Sequence, residues 1–268
     1  MGAGQGPVIL VADDVPINQV VAKRMVERSG YQADVVANGR EAVEAVTENS
    51  YAAVLMDCHM PELDGYEAAR EIRRGEGGAA RVPIIAVTAA SVGGERERCL
   101  DAGMDDYLSK PLRSHALEET LTRWIAPEPG PAPGAPTDAQ PHTSETPEPD
   151  VLDEAVVAEI ETLGEDLLAE LITIFFGAAP SQVLALDRAV ERGDTATVAQ
   201  VAHAVKGASV SVGAPRVSRI AAELELMAKA GGLGSAHSLL DRLRFSLQEA
   251  SEALGRRVSK PDGDRDPK

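Results

Sequence analysis

The first 125 residues alternate short apolar runs with segments in which apolar residues recur every three to four positions. Continuous apolar runs of this length are typical of strands buried on both faces, and the wider spacing is typical of amphipathic helices. Five such β–α units predict a doubly wound α/β fold with a five-stranded parallel sheet. The predicted strands are 7–12, 31–37, 52–57, 82–89 and 106–109, and the predicted helices are 16–29, 39–49, 65–74, 94–103 and 113–125.

A proline-rich segment interrupts this pattern at residues 126–150. It contains eight prolines and five acidic residues, with no basic and no aromatic side chain. Such a segment cannot bury enough apolar surface to offset the entropy lost on ordering. It is therefore predicted to be an acidic linker, semi-rigid where proline is dense.

Residues 151–254 have helical apolar spacing throughout and no strand pattern of comparable strength. Gly164, Pro180, Gly193 and Pro215 punctuate the spacing, which predicts a bundle of four to six helices. Residues 255–268 are rich in charged residues and are predicted to be a disordered tail.

Composition narrows the function classes. The formal net charge is −17, which argues against a nucleic-acid binder that relies on a basic surface. The same charge gives no attraction to anionic membranes, and no apolar run approaches the length of about 20 residues that spans a bilayer. The amino terminus lacks the features of a secretory signal, so we expect a cytoplasmic protein without direct membrane insertion. Cys58 and Cys99 are too few for a disulfide framework, and we interpret them as buried apolar side chains, with a redox role as the alternative.

Charged and hydroxyl side chains stand at the carboxyl ends of four predicted strands. Asp13 and Asp14 end the first strand, Asp57 the third and Thr88 the fourth, while Lys110 follows the fifth. These ends meet at one edge of a parallel sheet. Close carboxylates repel one another, and Mg²⁺ resolves this because it binds a few carboxylates, a carbonyl and waters. Lys110 can pair with Asp57 or with an anion attached to it, which predicts a phosphate site.

Each of these residues also has a purely structural interpretation. Asp14 could cap the helix that begins near Pro16, and Thr88 could be an ordinary strand residue. Asp64, before Gly65, is assigned to a turn rather than to the site. The joint occurrence of all five side chains at the ends of four strands favours the functional interpretation.

Four motifs, VADD, LMDCHMPELDGYE, AVTA and YLSKP, occur in order over residues 7–125. They resemble the receiver domain of two-component response regulators, which has a flavodoxin-like fold. The resemblance implies that Asp57 accepts a phosphoryl group with the help of Mg²⁺. It further implies that the metal ligands are Asp13, Asp14, Asp57 and the backbone carbonyl of His59, that Thr88 and Lys110 contact the phosphoryl oxygens, that Thr88 and Tyr107 are switch residues, and that the peptide bond between Lys110 and Pro111 is cis.

The stretch VAQVAHAVKGASVSVGAP at 198–215 contains a second candidate site. On a helix, His203 falls on the side opposite a largely apolar stripe, so we expect His203 to face solvent. The stripe consists of Val198, Val201, Ala202, Val205, Ser209 and Val212. Lys206 and Gly207 follow at three and four positions, on the side of His203. A glycine inside a helix costs about 1 kcal/mol relative to alanine, and room for an approaching partner is one reason to accept that cost.

The HAVKGAS motif resembles that of histidine phosphotransfer (HPt) domains, which are four-helix bundles, and the resemblance extends over residues 151–254. It implies that His203 is a phosphoryl acceptor. It also implies that Lys206 lends positive charge to the phosphoryl group and that Gly207 clears its approach.

Together the two resemblances predict a phosphorelay protein with histidine kinases and other receiver or HPt domains as partners. A phosphohistidine would phosphorylate Asp57, and His203 would accept a phosphoryl group or pass one on. One alternative is a receiver whose phosphorylation only switches partner binding, with the HPt domain served by another receiver. The other is the carboxyl-terminal part of a hybrid histidine kinase. No ATP-binding glycine boxes and no dimerisation helix with a histidine are recognisable, so this chain by itself is not expected to use ATP.

Overall fold

A computed structural model describes residues 6–77, 81–89, 94–125, 150–164 and 166–258. The chain divides into two compact units, an α/β unit and a helical unit, and each has its own fold. Residues 126–149 and 259–268 lie outside the described residues. The predicted linker, apart from Asp150, and most of the predicted tail therefore remain predictions.

The α/β unit contains a five-stranded parallel sheet in the order β2-β1-β3-β4-β5. This confirms the predicted fold class, and the element boundaries agree with the pattern to within about two residues. The elements are β1 (Val8–Ala12), α1 (Pro16–Arg28), β2 (Gln32–Val36), α2 (Gly39–Glu48), β3 (Ala53–Asp57), α3 (Gly65–Gly75), β4 (Ile84–Ala89), α4 (Glu95–Asp101), β5 (Asp106–Lys110) and α5 (Ser114–Ile125).

Strand β3 is buried along its whole length. Because successive side chains of a strand point to opposite faces, uninterrupted burial means that both faces of the sheet are covered at β3. The strand order also places β2 and β3 on opposite sides of β1. The chain reverses its winding direction there, and the crevice beyond the carboxyl ends of β1 and β3 is where such folds bind ligands.

Asp64 and Gly65 form the end of the turn that connects β3 to α3. Asp64 caps α3, since its Oδ1 accepts a hydrogen bond from the backbone N–H of Glu67 at 2.8 Å. The backbone N–H of Gly65 donates to the carbonyl of Cys58 at 3.1 Å. A Cβ atom on Gly65 would overlap the carbonyl oxygen of Asp57. The turn therefore requires glycine at residue 65, and Asp64 has the structural role that the sequence predicted.

The helical unit contains five helices within its described residues, in agreement with the predicted four to six. Four of them form a closed bundle in which α7 packs on α8 and α10, and α9 packs on the same two helices. The shorter α6 packs on α7, and the backbone N–H of Asp153 just before it donates to the carbonyl of Gly213 at 2.9 Å. The helices are α6 (Glu154–Leu163), α7 (Leu167–Glu191), α8 (Thr195–Ser211), α9 (Pro215–Lys229) and α10 (Ala236–Val258).

The structure differs from the sequence pattern at Pro180, which was expected to separate two helices. It lies inside α7 instead. Proline removes one backbone donor from a helix, but α7 buries Phe175 and Ala179 before it and Leu186 after it on one face of the bundle. Tertiary packing thus overrides the local preference. Similarly, α10 continues to Val258, four residues beyond the predicted end of the bundle.

Helix α7 also differs from the expectation that no segment is long and apolar enough to span a bilayer. Its mean hydropathy reaches 1.6 over an 18-residue window, and 28% of that window is buried. The core helix of a soluble bundle passes the same test of length and composition. Leu171, Phe175 and Leu186 of α7 are core residues of this bundle.

Candidate functional site

The first site lies at the carboxyl edge of the sheet, where β1, β3 and β5 end. The ammonium group of Lys110 donates to Oδ2 of Asp57 at 2.6 Å and to Oδ2 of Asp13 at 2.8 Å. The backbone N–H of His59 donates to the other oxygen of Asp57, Oδ1, at 3.1 Å. Asp57 is therefore oriented by a cation on one oxygen and by a backbone donor on the other.

Electrostatics favour charged forms at this edge. Burial alone would lower the pKa of Lys110, but the carboxylates of Asp13 and Asp57 outweigh burial and raise that pKa. Lys110 is therefore protonated at neutral pH. It offsets only part of the charge of the three neighbouring carboxylates.

Asp13, Asp14 and Asp57 each offer an oxygen atom, and these three atoms lie within 4.8 Å of one another. Hard oxygen ligands at this spacing suit Mg²⁺, which is commonly held by one or a few carboxylates together with waters. The residues present therefore fit a divalent cation. The backbone carbonyl of His59 follows Asp57 directly in the chain, and its place among the ligands remains a prediction.

Thr88 belongs to β4, next to β5 in the sheet, and is paired in register with Ser109. Its hydroxyl is buried and has no hydrogen-bond partner among the described residues. A buried hydroxyl without a partner is costly, and a ligand oxygen would offset that cost. This suits the predicted contact with a phosphoryl group.

Tyr107 and the proline after Lys110 complete the residues predicted for this unit. The guanidinium carbon of Arg96 lies 5.9 Å from the centroid of the Tyr107 ring, which joins α4 to β5. The switch role of Tyr107 stays a prediction. The peptide bond between Lys110 and Pro111 is cis, as the resemblance implied.

The second site lies in the helical unit, on α8 and α9. His203 does not simply face solvent: its Nδ1 lies 2.9 Å from Oε1 of Glu225 on α9. An ionised carboxylate can only accept a hydrogen bond, so Nδ1 is the donor. In the neutral ring, Nε2 is then the nitrogen whose lone pair can attack phosphorus.

Glu225 also binds two lysines. Lys206 donates to Oε2 at 2.7 Å and Lys229 donates to Oε1 at 2.6 Å. Burial would raise the pKa of Glu225, but the hydrogen bonds from His203, Lys206 and Lys229 outweigh burial and hold the pKa well below its usual value. One carboxylate and two ammonium groups leave a net positive charge beside the imidazole, which favours an approaching phosphoryl group.

Sequence reasoning placed His203, Lys206 and Gly207 on one helix, and the structure keeps them there, within α8. It missed Glu225 and Lys229. A usable signal existed, because Glu225 lies among the buried apolar positions of α9 between Leu224 and Ala228. A charged residue at such a position is rare unless it is paired.

Comparisons with known proteins match both units. The family model described as a response regulator receiver domain matches residues 9–122, and the model described as an Hpt domain matches residues 170–253. The Hpt match begins within α7 and extends into α10, so α6 lies outside it.

Several relatives match most of the chain, including two sensor proteins. The sensor protein GacS of Pseudomonas syringae pv. syringae is 27% identical over 255 residues, which is 94% of this chain and 28% of that protein. The aerobic respiration control sensor protein ArcB of Escherichia coli K12 is 26% identical over 219 residues, which is 81% of this chain and 27% of that protein. The chain thus spans little more than a quarter of the length of either relative.

Among the solved structures that match the α/β unit is the receiver domain of the sensor histidine kinase PA1611 from Pseudomonas aeruginosa PAO1, with a magnesium ion coordinated in its active-site cleft. The two sequences are 49% identical, and the match covers 46% of this chain and 99% of that domain with a TM-score of 0.43.

Proposed function

Since the chain belongs to the two-component phosphorelay proteins, with a receiver domain over residues 9–122 and an Hpt domain over residues 170–253, we propose that Asp57 and His203 are its two phosphoryl acceptors. Asp57 takes a phosphoryl group from a phosphohistidine of a partner protein. His203 takes one from a receiver aspartate or returns one to it. The partners are a histidine kinase and other receiver or HPt domains, and the reaction takes place in the cytoplasm.

At the receiver site, a carboxylate oxygen of Asp57 attacks phosphorus. A P–O bond forms while the P–N bond to the donor imidazole breaks, and the imidazole leaves with the electron pair of that bond. Asp13, Asp14 and Asp57, with the His59 carbonyl, would hold Mg²⁺, which when bound neutralises charge on the phosphoryl oxygens. Lys110, already 2.6 Å from Asp57, supplies a second positive charge to those oxygens, and the Thr88 hydroxyl donates to one of them.

At the Hpt site, Nε2 of His203 attacks the phosphorus of a phosphoaspartate. A P–N bond forms, the acyl P–O bond breaks, and the donor aspartate leaves as a carboxylate. The carboxylate of Glu225 keeps the proton on Nδ1 and stabilises the positive charge that the ring acquires during the attack. Lys206 moves from Glu225 to the incoming phosphoryl oxygens, while Lys229 remains to pair with Glu225.

The observation that supports this proposal most directly is the orientation of the two nucleophiles. Asp57 is held by Lys110 and the His59 backbone, and His203 is held by Glu225. Each therefore presents a defined atom next to groups of positive charge. Preorganisation of this kind is the main contribution that a protein makes to phosphoryl transfer.

The test uses two full-length variants, so that each chain has one acceptor. The donor chain contains His203→Gln and is labelled from a radioactive small phosphodonor with Mg²⁺. After the phosphodonor is removed, the acceptor chain containing Asp57→Asn is added. Base-stable phosphohistidine is expected to appear on the acceptor chain, and a double variant with both substitutions should take up no label.

Two results would count against this assignment. Mg²⁺-dependent labelling of Asp57→Asn at the wild-type rate would show that Asp57 is not the receiver acceptor. Normal labelling of Asp57 without transfer to His203 at any concentration would favour the alternative, in which phosphorylation of this receiver switches partner binding and another receiver serves the HPt domain.

A further inference from the structure

The two cysteines of this chain meet inside the receiver domain. Cys58 follows Asp57 directly, at the end of β3, and Cys99 lies on α4, yet their sulfur atoms are 3.7 Å apart. They are the two cysteines of the sequence. Both belong to the buried apolar cluster of the domain, with exposed fractions of 0% and 2%.

Their separation is close to what a disulfide bond requires. The sulfur atoms of a disulfide are about 2.05 Å apart, so the pair must close by roughly 1.7 Å. Cys58 can move only slightly, because its backbone N–H donates to the carbonyl of Val87 and its carbonyl accepts from the backbone N–H of Gly65. Helix α4 has only seven residues, and we expect it to supply most of the movement.

The contacts of α4 connect the cysteine pair to the phosphorylation edge. The guanidinium group of Arg98 lies 4.6 Å from the centroid of the buried Tyr66 ring, and Arg96 approaches Tyr107 of β5. If Cys58 moves, its peptide bonds displace the neighbouring residues Asp57 and His59. The Cys58 side of a cross-link between these sulfurs would therefore reach His59, whose backbone N–H binds the Asp57 carboxylate. The Cys99 side would reach Tyr107 in β5, the strand that ends at Lys110.

We propose that Cys58 and Cys99 form a reversible intramolecular disulfide when the chain meets a peroxide, and that this cross-link slows phosphorylation of Asp57. The second clause rests on the proposed function. One thiol attacks hydrogen peroxide and becomes a sulfenic acid, with release of water. The other thiol attacks that sulfur, an S–S bond forms and a second water leaves. Two thiols thus lose two electrons and two protons, which reduce one peroxide to two waters.

Burial determines when this reaction occurs. Neither sulfur is reachable while α4 stays in place, so peroxide reacts during transient opening of α4, and the bond forms as α4 closes. Once formed, the bond holds α4 against the end of β3. A misplacement of about 1 Å at a reacting group can reduce a rate by up to about a hundredfold. We expect the cross-linked chain to label at Asp57 about tenfold more slowly.

The test has two independent measurements on the full chain. The reduced chain is treated with hydrogen peroxide, and peptide mass mapping without reductant should find the Cys58 and Cys99 peptides joined, with the loss of two hydrogens. Labelling from a small phosphodonor with Mg²⁺ should then be slow, and dithiothreitol should restore the rate. Mapping needs no phosphoryl chemistry, so failure of the disulfide is distinguishable from failure of Asp57 to accept label in the reduced chain.

Cys99→Ala is the matched control, and its labelling should be unaffected by peroxide. If that variant does not fold, as judged by circular dichroism, Cys99→Ser replaces it. Peptides that remain separate after peroxide treatment, whether unmodified or individually oxidised, would overturn the proposal. So would a joined pair that labels at the rate of the reduced chain.

Discussion

Replacement of Glu225 by alanine tests how the Hpt site selects its nucleophile. In the folded protein the carboxylate accepts from Nδ1 of His203 at 2.9 Å, which selects the neutral tautomer with its lone pair on Nε2. Alanine removes that acceptor, and the imidazole can then place its proton on either nitrogen. We expect the protonated-Nε2 form, which cannot attack phosphorus, to gain population.

The size of the effect follows from the lost hydrogen bond. A hydrogen bond to a charged group is worth about 1.5–3 kcal/mol. Since each 1.4 kcal/mol is about tenfold in an equilibrium, the ratio of the two ring forms should change by roughly 10- to 150-fold. Transfer to His203 should slow by about tenfold or more, because the positive charge that the ring acquires during the attack also loses its carboxylate partner. Glu225→Gln should lie between alanine and the wild type, because an amide carbonyl still accepts from Nδ1 but lacks the charge.

The assay has a structural and a kinetic readout. Long-range proton–nitrogen correlation spectra report which nitrogen of His203 carries the proton. Transfer from a labelled His203→Gln donor chain to an Asp57→Asn acceptor chain, with and without Glu225→Ala, reports the rate. Glu223→Gln is the control, because Glu223 is on the same helix but binds Arg242 at 3.2 Å on an exposed part of the surface. A Glu225→Ala chain with wild-type tautomer signals, or with a transfer rate within about threefold of wild type, would refute the reasoning.

Three further predictions concern Lys110, Gly65 and the pH dependence of Glu225. Lys110→Ala should label at Asp57 at least about tenfold more slowly, because the phosphoryl oxygens lose a positive charge. Mg²⁺ should raise the melting temperature of this variant more than that of the wild type, because the cation replaces the lost ammonium group. Equal shifts in melting temperature with Mg²⁺ would contradict this. Gly65→Ala should destabilise the receiver domain by about 1–3 kcal/mol in urea unfolding, because the added Cβ overlaps the Asp57 carbonyl. Gly75→Ala on the same helix is the control. Its Cβ meets no atom within 4 Å, so this substitution should be neutral or stabilising by up to about 1 kcal/mol. The pKa of Glu225 is lowered in the folded state, so its contribution to stability is complete well above about pH 4.3 and is lost as the pH falls below that value. Thermal unfolding between pH 7 and pH 3 should therefore show a smaller stability difference between wild type and Glu225→Gln at the acidic end. A constant difference would exclude the ion cluster.

The sequence by itself determined the receiver fold and the edge on which its site lies. Continuous apolar runs separated by amphipathic segments allow little other than a parallel sheet covered by helices. The ends of such strands are brought together by topology, so the sequence alone is enough to group Asp13, Asp57 and Lys110. Within α8, the positions of His203 and Lys206 followed in the same way from the period of one helix.

Tertiary structure decided every feature that depends on how separate elements meet. Pro180 remains inside α7 because the bundle buries residues on both sides of it, which local helix preference cannot indicate. Glu225 reaches His203 from another helix, 22 residues along the chain, and the approach of Cys58 to Cys99 spans 41 residues. Periodicity shows which face of an element is buried, but the partner of a given side chain depends on how the elements pack, and only the folded chain specifies that packing.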